Sequence, residues 1–183
     1  NSVNNANAIG IPTIFRFIRD LNPRKNCTET LQLRGLFSVL NEYKIFAKNA
    51  EIITEEKANT FIFTLKNTIS LIKKATNTVV VTSVSKEIVN KIFGSLAHKI
   101  ITIQIPPHTY TQGHKGYSKK SKKSFGETYE DLFPKIESCV TSGTLVIVAA
   151  GFAGKILINK SKEAGGVAID VGESIDLWRD KVI

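Results

Sequence analysis

Methionine is absent from the chain, cysteine occurs twice and tryptophan once. Cys27 and Cys139 lie far apart in no CxxC or Cys/His spacing, so neither a disulfide framework nor a zinc site is indicated. A reducing cytoplasm is the compartment that fits. No run approaches the roughly 20 apolar residues of a membrane span, and the polar opening Asn1 to Asn7 is unlike a secretory signal. A chain that opens Asn1-Ser2-Val3-Asn4-Asn5 and holds no methionine does not begin at a translation start, so a segment ahead of Asn1 is expected. Acidic residues are also missing throughout the stretch between Pro106 and Glu127.

The 183 residues are 42% hydrophobic, enough for one sizeable core and too few for two ordinary domains. Twenty-five Lys and Arg against sixteen Asp and Glu give a net charge of +9. Such a charge favours anionic partners: nucleotide phosphates, nucleic acid or an acidic membrane surface. It does not choose among them.

The first third reads helical, with apolar residues clustered over 9–18 and again over 28–40. Thr54-Glu55-Glu56 is a capped, acidic helix start that suits the helix dipole, and the helix it opens is expected to reach Lys74, burying Phe61, Leu65, Ile69 and Ile72. Beyond it the pattern alternates. Short β-branched or apolar runs at 78–82, 100–105, 144–150 and 167–171 read as strands; 85–93, 127–140, 152–163 and a segment from Glu173 read as helices. Strands and helices in that order predict an α/β fold, Rossmann-like and doubly wound around a mainly parallel sheet. The expected organisation is one domain over 1–183, with a helical segment at 1–53 and the Rossmann-like core at 54–183. Ligands of such sheets bind at the carboxyl ends of the strands.

Three stretches at those ends could carry chemistry. Gly151-Phe152-Ala153-Gly154-Lys155 follows an apolar strand and opens a helix, so backbone N–H groups and the lysine could hold a phosphate. It is not a P-loop, because Ile156 stands where a Ser or Thr would hold Mg²⁺. The plainer alternative is that Gly151 and Gly154 only permit a tight turn and close helix packing. Asp170 ends the strand 167–171 before Gly172, where it could orient a hydroxyl, hold a metal or act as a base. It could equally bond only its own turn, with Glu173 or Ser174 capping the last helix.

The third stretch, 108–125, carries His108, His114, Lys115, Tyr117, Lys119, Lys120, Lys122 and Lys123. An irregular segment of this length is functional or mobile. Its cations and aromatics suit a diphosphate, a lipid-linked phosphate acceptor or single-stranded nucleic acid. Solvated lysines and a structural His114 are the plainer readings.

The order of these features resembles the GT-D-fold glycosyltransferases. The resemblance rests on Ala8-Ile9-Gly10-Ile11-Pro12, Thr54-Glu55-Glu56, Ile105-Pro106, Ala150-Gly151-Phe152-Ala153-Gly154-Lys155, Gly165-Gly166-Val167-Ala168-Ile169-Asp170-Val171-Gly172 and Asp176-Leu177-Trp178. It runs over nearly the whole chain and is specific within 144–179. It implies transfer of a sugar from a nucleoside diphosphate sugar donor, with a divalent cation (Mn²⁺ or Mg²⁺), to a glycan, glycoprotein or lipid-linked acceptor in cell-surface glycan synthesis. The implied setting is bacterial and cytoplasmic, compatible with peripheral contact at the inner membrane surface, and nucleic acid is not an expected partner. Asp170, Glu173 and His114 are the implied catalytic residues. Gly151, Gly154, Lys155, Gly172 and Ser174 are the implied nucleotide-sugar contacts. The family's metal-binding Asp-x-Glu does not occur in this chain, so that motif and the first strand are expected ahead of Asn1. The alternative, from another class, is a non-catalytic nucleotide- or polyanion-binding module on which the +9 supplies affinity.

Overall fold

The computed structural model describes residues 7–10, 51–53, 58–107, 113–118 and 125–183. The chain divides into two compact units, Asn1–Ala58 and Asn59–Ile183, close to the boundary read between helical segment and core.

In the first unit, β1 (Ala8–Gly10) pairs in parallel with β2 (Glu51–Ile53), Ile9 opposite Ile52. A helical reading of these residues is corrected here. Ile9, Ile52 and Ile53 are β-branched, and Gly10 and Pro12 are poor helix residues, which outweighs the apolar spacing. The helix expected over 28–40 and the start at Thr54 lie outside the described residues.

From the unit boundary onward the chain forms two helices rather than one, α1 (Ala58–Ile62) and α2 (Leu65–Lys74). Thr64 interrupts them: its hydroxyl accepts the Asn67 N–H at 3.2 Å, capping α2 afresh, while the Asn67 amide donates to the Ile62 carbonyl at 2.9 Å. The break shifts the helical phase. Ile72 is fully buried and Leu65 and Ile69 are half-buried, as the spacing requires, but Phe61 is 68% exposed instead of packed.

From Asn77 onward strands and helices alternate as the sequence reads: β3 (Asn77–Thr82), α3 (Lys86–Phe93), β4 (Ile100–Gln104), α4 (Phe125–Cys139), β5 (Thr144–Ala149), α5 (Gly154–Glu163), β6 (Val167–Asp170) and α6 (Ser174–Arg179). The Ser85 hydroxyl caps α3 by accepting the Ile88 N–H at 3.4 Å. All four strands of this sheet are parallel, in the order β4-β3-β5-β6. The register sets Val80 opposite both Thr102 and Ile147, and Ile147 opposite Ile169.

β3 and β5 are central and buried on both faces, which is why they read as unbroken apolar runs. On one face Val80, Leu145 and Ile147 pack with Ile72, Ile88, Ile92, Phe93, Ile175 and Trp178, which come from α2, α3 and α6. Phe93 and Trp178 meet edge to face at 6.0 Å there. On the other face Val79, Val81, Val146 and Val148 pack with Leu132, Ile136 and Leu157, from α4 and α5. Each fully buried aliphatic side chain stabilises this arrangement by roughly 1.5–3 kcal/mol before conformational entropy is charged against it. The result is an α/β fold with helices on both faces of an all-parallel sheet, compatible with a Rossmann-like architecture. Among the described residues no helix is long and apolar enough to cross a membrane.

Candidate functional site

The strand order places β4 and β5 on opposite sides of β3, so the connections from β3 and β5 diverge at their carboxyl ends. A crevice at such a reversal is where ligands of open parallel sheets bind. Part of it is taken up by the chain itself. Residues 116–118 lie against the turn after β3: Gly116 accepts the Ser85 N–H at 2.8 Å, Ser118 donates its N–H to Ser83 at 2.7 Å, and Tyr117 bridges Val84 in antiparallel fashion. The Ser118 hydroxyl also donates to the Ile105 carbonyl at 3.0 Å. These bonds occupy backbone groups in the turn past β3.

The loops after β5 and β6 meet. Asp170, the last residue of β6, pairs through Oδ2 with the Lys155 ammonium in the first turn of α5. Its Oδ1 accepts the Gly172 N–H at 2.9 Å. The Asp170 side chain is 21% exposed and that of Lys155 63%. The pair therefore stands at the surface with its carboxylate turned inward. The cause is local: Val171 donates its N–H to Val148 at 2.9 Å, continuing the β5–β6 pairing past Asp170 and bringing it beside the start of α5. No side chain caps the first turn of α5, and no acid lies in it. The Asp170 carboxylate, with Oδ2 4.0 Å from where a Cβ on Gly154 would stand, is the negative charge that the helix start meets.

The three site glycines differ. Gly151 (φ +56°) is exposed, and among the described residues nothing stands within 4 Å of where its side chain would begin. At Gly154 that position is 3.1 Å from Val148 Cγ1, so its lack of a side chain serves close packing of α5 on the sheet. At Gly172 (φ +49°) the position lies 2.4 Å from Asn59 Nδ2. On that side of Gly172 stands the Asn59 amide, which donates to the Val171 carbonyl at 3.2 Å.

Ser174 is 1% exposed, and its hydroxyl has no hydrogen-bond partner within the described structure. The residue expected to contact the nucleotide is thus buried at the start of α6. Glu173 is exposed, and its side chain makes no capping bond to α6. His114 is exposed and sits against the Tyr117 ring at 6.5 Å. Among the described residues no hydrogen bond or ion pair joins His114 to Asp170. Of the lysine-rich stretch 108–125, residues 108–112 and 119–124 lie outside the described residues.

Two groups were missed in the sequence. Asn59 acts across 112 residues, a separation that no local pattern reveals. Tyr117 donates its hydroxyl to Asp176 at 2.6 Å, and the Arg179 guanidinium lies over its ring at 4.4 Å while pairing with Asp176 at 3.5 Å and Asp180 at 2.6 Å. Burial, then the bond to Asp176, pushes the Tyr117 phenol up to about 12. The Asp176-Leu177-Trp178 motif thus divides its work: Asp176 fixes Tyr117, and Trp178 fills the core.

A shallow apolar recess lies at the same edge, lined by Ile105, Pro106, Thr128, Leu132, Ala150, Ala153 and Leu157. Among the described residues no group of three or more His, Cys, Asp or Glu side chains stands together to hold a metal ion. Both Asp170 oxygens are already engaged, so these residues do not form a cation cage of their own. Comparison with family models, with curated proteins and with solved structures gave no match.

Proposed function

We propose that the chain forms the main α/β body of a nucleotide-sugar-dependent glycosyltransferase of the GT-D type, moving a sugar from a nucleoside diphosphate donor to a glycan, glycoprotein or lipid-linked acceptor. The observation that carries this reading is the meeting of Lys155 and Asp170 at the carboxyl edge of the parallel sheet, where the Gly151 turn leads into the helix that bears Lys155. The motif order described above supports it independently. In this reading the donor diphosphate lies along Gly151 with Lys155 as its countercharge. Asp170 accepts a hydroxyl of the transferring sugar, and Glu173, exposed in the turn that follows, is the second carboxylate of this reading. His114 belongs to the donor side, in the stretch 108–125 that closes over the donor. A divalent cation would be held by residues other than the described ones, and no step here runs through it. The proposed setting is the cytoplasmic side of a bacterial cell, with peripheral contact at the inner membrane surface supplied by the +9 charge.

The whole protein, surveyed by thermal unfolding against nucleoside diphosphate sugars with Mn²⁺ or Mg²⁺, is expected to show protection by one or a few donors and transfer or slow hydrolysis of the same ones. Equal protection by any polyanion, lost with added salt, would instead favour a non-catalytic polyanion-binding module, a reading to which the same net charge lends weight.

A further inference from the structure

We infer that Asp170 guards an anion subsite on Lys155, which takes a diphosphate group only when the ligand displaces that carboxylate. The proposal rests on reading Lys155 as the phosphate side of the site, and it adds the order in which charges must exchange. Lys155 is 63% exposed on a flexible stem, whereas Asp170 is 21% exposed and pinned by the Gly172 N–H. The lysine is the less constrained of the two. The Lys155 side chain is largely in solvent, and its flexible stem lets the ammonium turn from Asp170 to a phosphate oxygen. When it does, Asp170 keeps its bond to Gly172 through Oδ1 and is left with Oδ2 unpaired. An unpaired carboxylate oxygen held at a fixed place is an acceptor for a hydroxyl group. The ligand class that satisfies both halves carries a diphosphate and a hydroxyl donor on the group next to it.

The exchange gives Asp170 opposite effects on two ligands. Toward bare inorganic pyrophosphate it acts chiefly as a competitor for Lys155, so Asp170→Asn should tighten binding by roughly threefold, in keeping with the loss of one partly exposed ion pair. Lys155→Met should weaken pyrophosphate by about tenfold. In the double variant the gain should vanish, because the carboxylate competes only for that lysine. Toward a nucleoside diphosphate sugar, Asp170→Asn loses the hydroxyl acceptor and should weaken binding relative to pyrophosphate.

Calorimetric titration of the full chain with inorganic pyrophosphate at low salt tests this. Asp170→Ser provides a second route, since a serine hydroxyl can still accept from Gly172 and also releases Lys155. Glu87→Gln makes the same charge change on α3, where Glu87 pairs with Lys91, and should give no gain. Tightening by either Asp170 variant, abolished by Lys155→Met and absent in Glu87→Gln, is the expected result. The guard is overturned if both folded Asp170 variants bind pyrophosphate no better than the wild type, if neither binds it at all, or if the gain survives Lys155→Met or is matched by Glu87→Gln. If the gain appears but no nucleoside diphosphate sugar binds better than pyrophosphate, the guard stands and the sugar-transfer reading fails.

Discussion

The side-chain amide of Asn59 stands where a side chain on Gly172 would have to begin: an added Cβ would lie 2.4 Å from Asn59 Nδ2. Asn59 belongs to the first helix of the second unit and Gly172 to the turn after the last strand, so one hydrogen bond to Val171 ties the two ends of this unit together. The turn it holds is the one from which Asp170 presents its carboxylate.

Gly172→Ala is therefore expected to destabilise the protein by about 1–3 kcal/mol, from the clash and from the strained positive φ. Asn59→Ala should cost about 1 kcal/mol for the lost bond. Together they should cost less than their sum, since removing the amide clears the space. Urea unfolding of the four proteins measures the coupling, and strict additivity would mean that the two residues do not share this space.

Asp170→Asn keeps an acceptor for the Gly172 N–H and gives up only a partly exposed ion pair, so its stability loss should stay below about 1 kcal/mol. Sugar transfer by the whole protein should fall by about a hundredfold or more if Asp170 acts on the substrate hydroxyl. Transfer rates that match the wild type across donor concentrations would remove Asp170 from the chemistry.

Ser174→Ala separates the structural role of that residue from the binding role its sequence position suggests. Its hydroxyl is buried without a partner, so the alanine variant should be as stable as the wild type, or more so by up to about 1 kcal/mol. Donor affinity should be unchanged. A loss of affinity without a loss of stability would show that α6 opens to let the hydroxyl reach a ligand.

The parallel sheet was legible in the sequence because its central strands are buried on both faces and carry runs such as Val79-Val80-Val81 and Val146-Ile147-Val148, bounded by Ser, Gly or Pro. That Asp170 and the Gly151–Lys155 turn are neighbours was also legible, since two parallel strands joined through a helix bring their carboxyl ends to one edge. What escaped was decided by contacts between distant residues. Thr64 competes for the helix backbone and splits a helix that periodicity alone would continue. Gly172 and Ser174 look like ligand contacts by position, yet Asn59 and the packing of α6 take up the space around them. Tyr117 stood out in sequence only as an aromatic in a basic stretch, and its partner Asp176 lies 59 residues away.

Tyr117 offers a prediction with a defined pH window. In the folded protein its phenol is pushed up to about 12 from an ordinary value of 10.0, first by burial and then by the bond to Asp176. Between those values the folded state keeps a proton that the unfolded chain has lost, so raising the pH favours unfolding. The contribution is fully present below about pH 10 and disappears as the pH rises through about 12. Tyr117→Phe retains the ring under Arg179 but has no proton to release and no bond to Asp176, so it should be less stable than the wild type at neutral pH. Lysine titrations in the same range affect both proteins alike, and the difference between them isolates the phenol. Urea unfolding from pH 8 to 11.5 should show the gap between wild type and Tyr117→Phe narrowing steadily above pH 10. A gap that stays constant over the whole range would mean that Tyr117 titrates alike in the folded and unfolded states, and that its bond to Asp176 does not hold the loop in solution.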